Sequence, residues 1–171
     1  MNASKAFRVE PLDATFGAIV TGLDVTKLDP ATFEEIYATW LEYALLIFPG
    51  QHLTTEQQLE FAKRFGDLGE YTAPISNVFK PDGTRADGDE GVLNILKGNE
   101  SWHCDATFLP VQTKGSVLTA RAVSSTGGQT GWADMAASYD ALDESARARI
   151  ADLSAYHSML HSQARLGHKS S

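Results

Sequence analysis

Apolar residues recur along this chain at two different periods, and the points where the period changes mark its elements. From Phe7 to Leu12 and from Gly17 to Leu23, β-branched and aromatic residues stand in short runs on either side of Asp13-Ala14-Thr15. This predicts two short strands joined by a turn. Asp29-Pro30 then opens a stretch in which Phe33, Ile36, Tyr37, Trp40 and Leu41 return at helical spacing. Pro suits the first turn of a helix because the N–H it lacks would have no partner there, so an amphipathic helix with a core-facing stripe is expected. Ala44 to Phe48 is continuously apolar and stops at Pro49-Gly50, the pattern of a fully buried strand. Thr54-Thr55-Glu56-Gln57 has capping-box spacing, and Leu59, Phe61, Ala62 and Phe65 form the apolar face of a second helix that Gly66 ends.

Beyond Gly69 the pattern loosens. Pro74, Pro81-Asp82-Gly83 and Asp87-Gly88-Asp89-Glu90 mark a long polar loop reaching Gly91. Its carboxylates are interrupted by glycine and read as solvated charge rather than as a metal site. Val92 to Leu96 and Gly115 to Val123 are expected as strands, and Asp134 to Leu142 and Glu144 to Leu153 as helices, with Asp143 as an N-cap between them. Strand and helix mix without repeated βα units, which favours an antiparallel α+β arrangement over a parallel sheet.

Bulk properties narrow the partners. A chain of 171 residues, 43% hydrophobic and 21% charged, suits one globular domain, taken here as residues 1–171. A net charge of -8 argues against nucleic acid, which needs a clustered basic surface, and leaves small anions open. Cys104 is the one cysteine, so no internal disulfide forms and a cytoplasmic location is expected. Met1 to Lys5 has no apolar stretch of the signal-peptide kind, and the longest apolar run, Tyr43 to Phe48, is far too short to cross a membrane.

The candidate chemistry sits in Ser101-Trp102-His103-Cys104-Asp105-Ala106-Thr107-Phe108. In extended backbone, side chains at i and i+2 share a face, so His103 and Asp105 can converge on one metal while Cys104 points away. With one further His they would make a facial triad, which leaves the opposite positions of an octahedron open for a co-substrate and dioxygen. His-x-Asp alone is a weak motif, and a strand-end His hydrogen-bonded to a nearby Asp is the plainer reading. Zinc hydrolysis is disfavoured, since neither HExxH nor a nearby His/Cys cluster accompanies the pair.

The motif has ordered company. Asn99 precedes it, and Ser125-Thr126-Gly127-Gly128-Gln129-Thr130 and Met135-Ala136-Ala137-Ser138-Tyr139-Asp140-Ala141-Leu142 follow it. Before it come Gly17-Ala18-Ile19-Val20-Thr21-Gly22-Leu23-Asp24, Leu46-Ile47-Phe48-Pro49-Gly50-Gln51 and Phe61-Ala62-Lys63-Arg64-Phe65-Gly66-Asp67-Leu68-Gly69. Taken in order, these resemble the TauD/TfdA family of Fe(II)- and 2-oxoglutarate-dependent dioxygenases, over a span from about Phe7 to about His157.

The resemblance implies a double-stranded β-helix, the jelly-roll barrel, incomplete at its C-terminal end and with N-terminal helices packed outside. It implies Fe(II) as cofactor, 2-oxoglutarate as co-substrate, and hydroxylation by dioxygen of a small acid of the taurine, alkylsulfonate or aryloxyalkanoate kind. His103 and Asp105 become metal ligands, Thr130 a hydrogen-bond donor to 2-oxoglutarate, and Asn99 a neighbour of the substrate. Trp102 is expected to pack beneath the site, and the loop from Gly69 to Gly91 to shape the substrate pocket. The family's second metal-binding His and its oxoglutarate-binding Arg are expected beyond Ser171, so this chain looks like the first part of such an enzyme. His157, His161 and His168 are not expected to complete the triad, nor Arg165 or Lys169 to hold oxoglutarate. Relatives often bury apolar barrel surfaces in dimers, which leaves a homo-oligomer open. The alternative from another class is a truncated, non-catalytic remnant that binds metal weakly or serves only in association.

Overall fold

The computed structural model describes residues 6–69, 75, 100, 102–158, 160, 161 and 164. The expected strand at Val92 to Leu96, nearly all of the loop from Gly69 to Gly91, and Asn99, Arg165, His168 and Lys169 lie outside the described residues. The chain groups into two units, Met1–Leu68 with Val117–Asp152 and Gly69–Ser116 with Leu153–Ser171, described in turn below.

In the first unit β1 (Arg8–Pro11) and β2 (Ala18–Thr21) pair antiparallel, with Val9 opposite Val20 and Pro11 opposite Ala18. The turn between them closes through Leu12 N–H donating to Gly17 C=O at 2.9 Å. Gly17 has φ +95, a conformation that costs little only without a Cβ. A one-turn 3-10 helix (Val25–Lys27) and helix α1 (Pro30–Tyr43) then lead to β3 (Leu46–Ile47), which pairs parallel with β2 through Ala18 opposite Leu46. The sheet order is β1-β2-β3. The fold is therefore mixed α+β, and the sheet combines the antiparallel pairing that was favoured with one parallel pairing. A crossover containing a helix is long enough to return a strand parallel to its predecessor, and α1 supplies it.

Helix α1 begins where expected. The Asp29 carboxylate accepts the Thr32 N–H at 2.7 Å with Pro30 in the first turn, and Ala44 at φ 59 ends the helix in the left-handed region. Phe33 and Ile36 are buried, but Leu41 is 66% exposed and Thr39, at 1%, takes the inward place. Thr39 satisfies its hydroxyl by donating to Glu35 C=O at 2.7 Å, which makes a polar residue acceptable there. β3 is two residues long at the sheet edge and Ile47 is 41% exposed, so the expectation of a fully buried strand from Ala44 to Phe48 does not hold. Apolar composition marks a strand's preference; burial needs elements on both faces.

Helix α2 (Thr55–Lys63) carries the expected capping box, with Thr54 and Gln57 exchanging side-chain bonds at both backbone N–H groups. Phe65 draws α1 and α2 together, meeting Phe33, Trp40 and Phe61 edge to face with centroids 5.0, 5.4 and 5.3 Å away. Arg64 stacks its guanidinium 4.3 Å above Phe33 and donates to Leu28 C=O at 2.8 Å. Two buried clusters, Phe7-Val20-Ile36 and Val25-Leu53-Phe61, share Leu23, Leu28, Phe48 and Phe65 at their margins and form one core.

The remainder of this unit is held from α2. Gln58 donates to Val117 C=O at 2.8 Å and Arg121 to Thr55 Oγ1 at 2.9 Å. Residues 115–123, expected as a strand, form none, and Leu118 and Val123 are 58% and 82% exposed. A strand exists only through its ladder, and among the described residues nothing pairs with this one. Helices α3 (Met135–Asp140) and α4 (Glu144–Ile150) start at the N-caps Asp134 and Asp143 and are shorter than the sequence suggests.

In the second unit, residues 102–104 run without regular structure into a turn at 105–108, closed by Leu109 N–H donating to Ala106 C=O at 3.0 Å. Residues 153–158 are irregular, so His157 and His161 do not share one continuous helix.

Candidate functional site

The pair singled out from sequence meets in space. His103 Nε2 lies 3.2 Å from Asp105 Oδ1, with the side chains 48% and 69% exposed. Residues 102–104 are irregular and Asp105 opens the turn, so the two side chains meet across one intervening residue. The pair thus stands where irregular chain enters a turn, and not in the extended backbone expected. Cys104 between them is exposed. Ala106 holds φ 56, a left-handed conformation that a residue with a Cβ adopts at some cost, and it sets the direction of the turn.

These donors suit one metal ion. Two atoms bound cis to an octahedral cation at about 2.1 Å stand about 3.0 Å apart, close to the separation found. A neutral imidazole and a carboxylate are a mixed donor set suited to iron, manganese or zinc rather than to the oxygen-only coordination of calcium. Among the described residues no group of three or more His, Cys, Asp and Glu side chains could enclose a metal. The pair is the whole of the candidate centre that these residues provide.

Other expected participants fall differently. Thr130 belongs to the first unit, exposed and shortly after Gly127 and Gly128, whose φ of 70 and 72 make a sharp glycine turn. The Ser124 hydroxyl donates to Thr126 C=O at 2.7 Å within the same turn. Asn99 is outside the described residues. Trp102, expected to pack beneath the pair, is 75% exposed. An indole is buried only where other elements cover it, and position beside a motif does not supply that cover.

One residue of the second unit was not legible as part of this site. His157 Nδ1 stands 2.7 Å from Thr107 Oγ1, which ties the segment after α4 to the turn that carries Asp105. The two residues are 50 apart in sequence, and no local signal joins them.

The electrostatics of the first unit are those of helix caps. Asp29, Asp134 and Asp143 all have carboxyls held below their ordinary range, first because backbone N–H groups of Thr32, Ala137 and Ala146 donate to them. Asp24 is lowered to about 2, chiefly by the Lys27 ammonium 2.8 Å away and then by Thr26.

The order of motifs along the chain points to one class. The chain belongs to the taurine catabolism dioxygenase TauD, TfdA family, whose model matches residues 8–171. It is 56% identical over 168 residues to the (S)-phenoxypropionate/alpha-ketoglutarate-dioxygenase of Sphingobium herbicidovorans, covering 97% of this chain and 58% of that protein. The enzyme of the same description from Delftia acidovorans is 47% identical, over 94% of this chain and 58% of its own length. Among solved structures, AAD-2 in complex with Mn(II) and N-oxalylglycine superposes with a TM-score of 0.88 at 39% identity, covering 94% of this chain and 58% of the other. The chain thus spans rather more than half the length of these relatives.

No helix among the described residues is long and apolar enough to cross a membrane.

Proposed function

We propose that this chain contributes the His103-Asp105 half of the iron centre in a 2-oxoglutarate-dependent dioxygenase acting on a small aryloxyalkanoic acid. The observation that carries the reading is the 3.2 Å approach of His103 Nε2 to Asp105 Oδ1. The two relatives at 56% and 47% identity, both phenoxypropionate enzymes by name, favour an aryloxy acid over a taurine-like or sulfate-ester substrate. In this reading residues 1–171 belong to a single catalytic domain whose jelly-roll barrel closes with strands from the part of the family's length they do not match. The third ligand, a His, and the Arg that pairs with oxoglutarate come from that same part. The reading also takes the protein to be cytoplasmic, without nucleic-acid or membrane partners; a homo-oligomer is compatible with it.

Each residue has a stated task. His103 offers a neutral imidazole lone pair, and Asp105 offsets cationic charge with one oxygen. The Thr130 hydroxyl donates to an oxoglutarate carboxylate without adding charge, and the Asn99 amide orients the substrate. Fe(II) bound there would supply the open coordination positions and relay electrons to dioxygen, two from 2-oxoglutarate as it loses carbon dioxide and two from the substrate C–H bond. Overall, one atom of dioxygen enters a substrate C–H bond and the other enters succinate, as 2-oxoglutarate loses carbon dioxide. Hydroxylation at the carbon bearing the aryloxy group gives a hemiketal, which releases the phenol and leaves a 2-oxo acid.

The test is turnover by the full-length protein supplied with Fe(II), 2-oxoglutarate and (S)-2-phenoxypropionate. Succinate and phenol are expected in equal amounts, and His103→Ala and Asp105→Ala should each lower the rate at least a hundredfold, with Mn(II) affinity falling in parallel. Weak metal binding with no succinate above the metal-free control would overturn this reading.

A further inference from the structure

We infer that His157 is a positioning residue for the metal-binding turn, acting through Thr107. This rests on the ligand assignment above. Asp105 opens the turn at 105–108, and that turn contains the positive φ of Ala106, which its own sequence does not favour. One backbone bond, from Leu109 N–H to Ala106 C=O at 3.0 Å, closes it from within. The bond between Thr107 Oγ1 and His157 Nδ1 at 2.7 Å anchors it from outside, to chain 50 residues further on. Thr107 is half-buried while Asp105 is exposed, so the anchored residue is the better-packed end of the turn. A hydroxyl can donate to or accept from an imidazole nitrogen, so the link survives either tautomer. His157 therefore acts on the turn that carries the proposed metal ligand through its bond to Thr107.

The geometry specifies which replacement should work. An Asn side chain puts its amide where Nδ1 of His lies, whereas Gln reaches only to the position of Nε2. In the full-length protein, His157→Ala and Thr107→Val should each weaken Mn(II) binding about tenfold, and the double variant should be no weaker than either single one. His157→Asn should restore affinity to within about threefold of the unsubstituted protein, and His157→Gln should not. Titration of free Mn(II) by electron paramagnetic resonance gives the affinities, with thermal melting of the metal-free proteins alongside. Should His157→Ala fail to fold, Thr107→Val and the Asn and Gln pair still decide the matter.

Unchanged affinity in His157→Ala and Thr107→Val, with Asp105→Ala severely impaired, would overturn the positioning role and leave the ligand assignment standing. Full Mn(II) binding by Asp105→Ala would overturn the ligand assignment and this inference with it. Equal rescue by Asn and Gln would show that His157 acts by bulk and not through Thr107.

Discussion

Ile36 and Leu41 lie on one helix, and both belong to its apolar stripe by spacing, yet one is fully buried and the other 66% exposed. Their substitutions should differ accordingly. Ile36→Ala removes packed methyl groups from the core shared with Phe7 and Val20 and should cost about 2–5 kcal/mol, read as a lower urea midpoint with the slope unchanged. Leu41→Gln should stay within about 0.5 kcal/mol of the parent. Equal losses would mean that Leu41 is covered in the folded protein. At the site, the proximity of His103 and Asp105 follows from their spacing. Two residues of chain hold them within reach, so almost any backbone compatible with that short span lets their tips approach. Thr107 and His157 carry no such constraint.

At the scale of elements, stability depends on how each begins and ends. Thr54→Ala breaks the capping box of α2 from one side and should cost about 1 kcal/mol, visible as a lower melting temperature. Gly17→Ala should be as harmful or worse, about 1–3 kcal/mol, because its Cβ would meet Leu12 Cδ1 at 2.8 Å on a backbone of φ +95. The aspartate caps give the fold an acid limit. Their carboxyls are lowered in the folded chain, so they bind protons more tightly once it unfolds. The stability they add is complete above the ordinary carboxylate value of 3.8 and is lost as pH falls towards the folded values, about 2 for Asp24. Melting temperatures measured from pH 7 down to pH 2.5 should fall below about pH 4. Replacing Asp29, Asp134 and Asp143 together by Asn, which caps without titrating, should flatten that fall. The starts of α1 to α4 were legible because capping is chemistry within four residues of chain, whereas the 3-10 helix at Val25–Lys27 was not expected. Residues 115–123 form no strand here because a ladder depends on a partner that no local pattern can guarantee.

The whole molecule adds the question of what pairs with that segment. The chain covers 58% of its relatives' length, and the proposed barrel requires strands from the rest. Amides of residues 115–123 should therefore exchange rapidly in the isolated 171-residue chain and slow at least a hundredfold in the full-length protein, whereas those of β2 and α1 should be protected in both. Rapid exchange at 115–123 in the full-length protein would argue against a ladder there and so against barrel closure at this point.

What the sequence determined by itself is whatever lies within one or two turns of backbone: the caps at Asp29, Thr54 and Asp143, the first hairpin, and a His and a carboxylate set two apart. The tertiary structure decided the parallel return of β3, the exchange of Leu41 for Thr39 on the inner face, the anchoring of Val117 on Gln58 across 59 residues and of His157 on Thr107 across 50. The physical reason is one of range. Dihedral preferences and capping bonds are settled by neighbours in the chain, whereas burial and ladder pairing are settled by whichever distant surface arrives to exclude water.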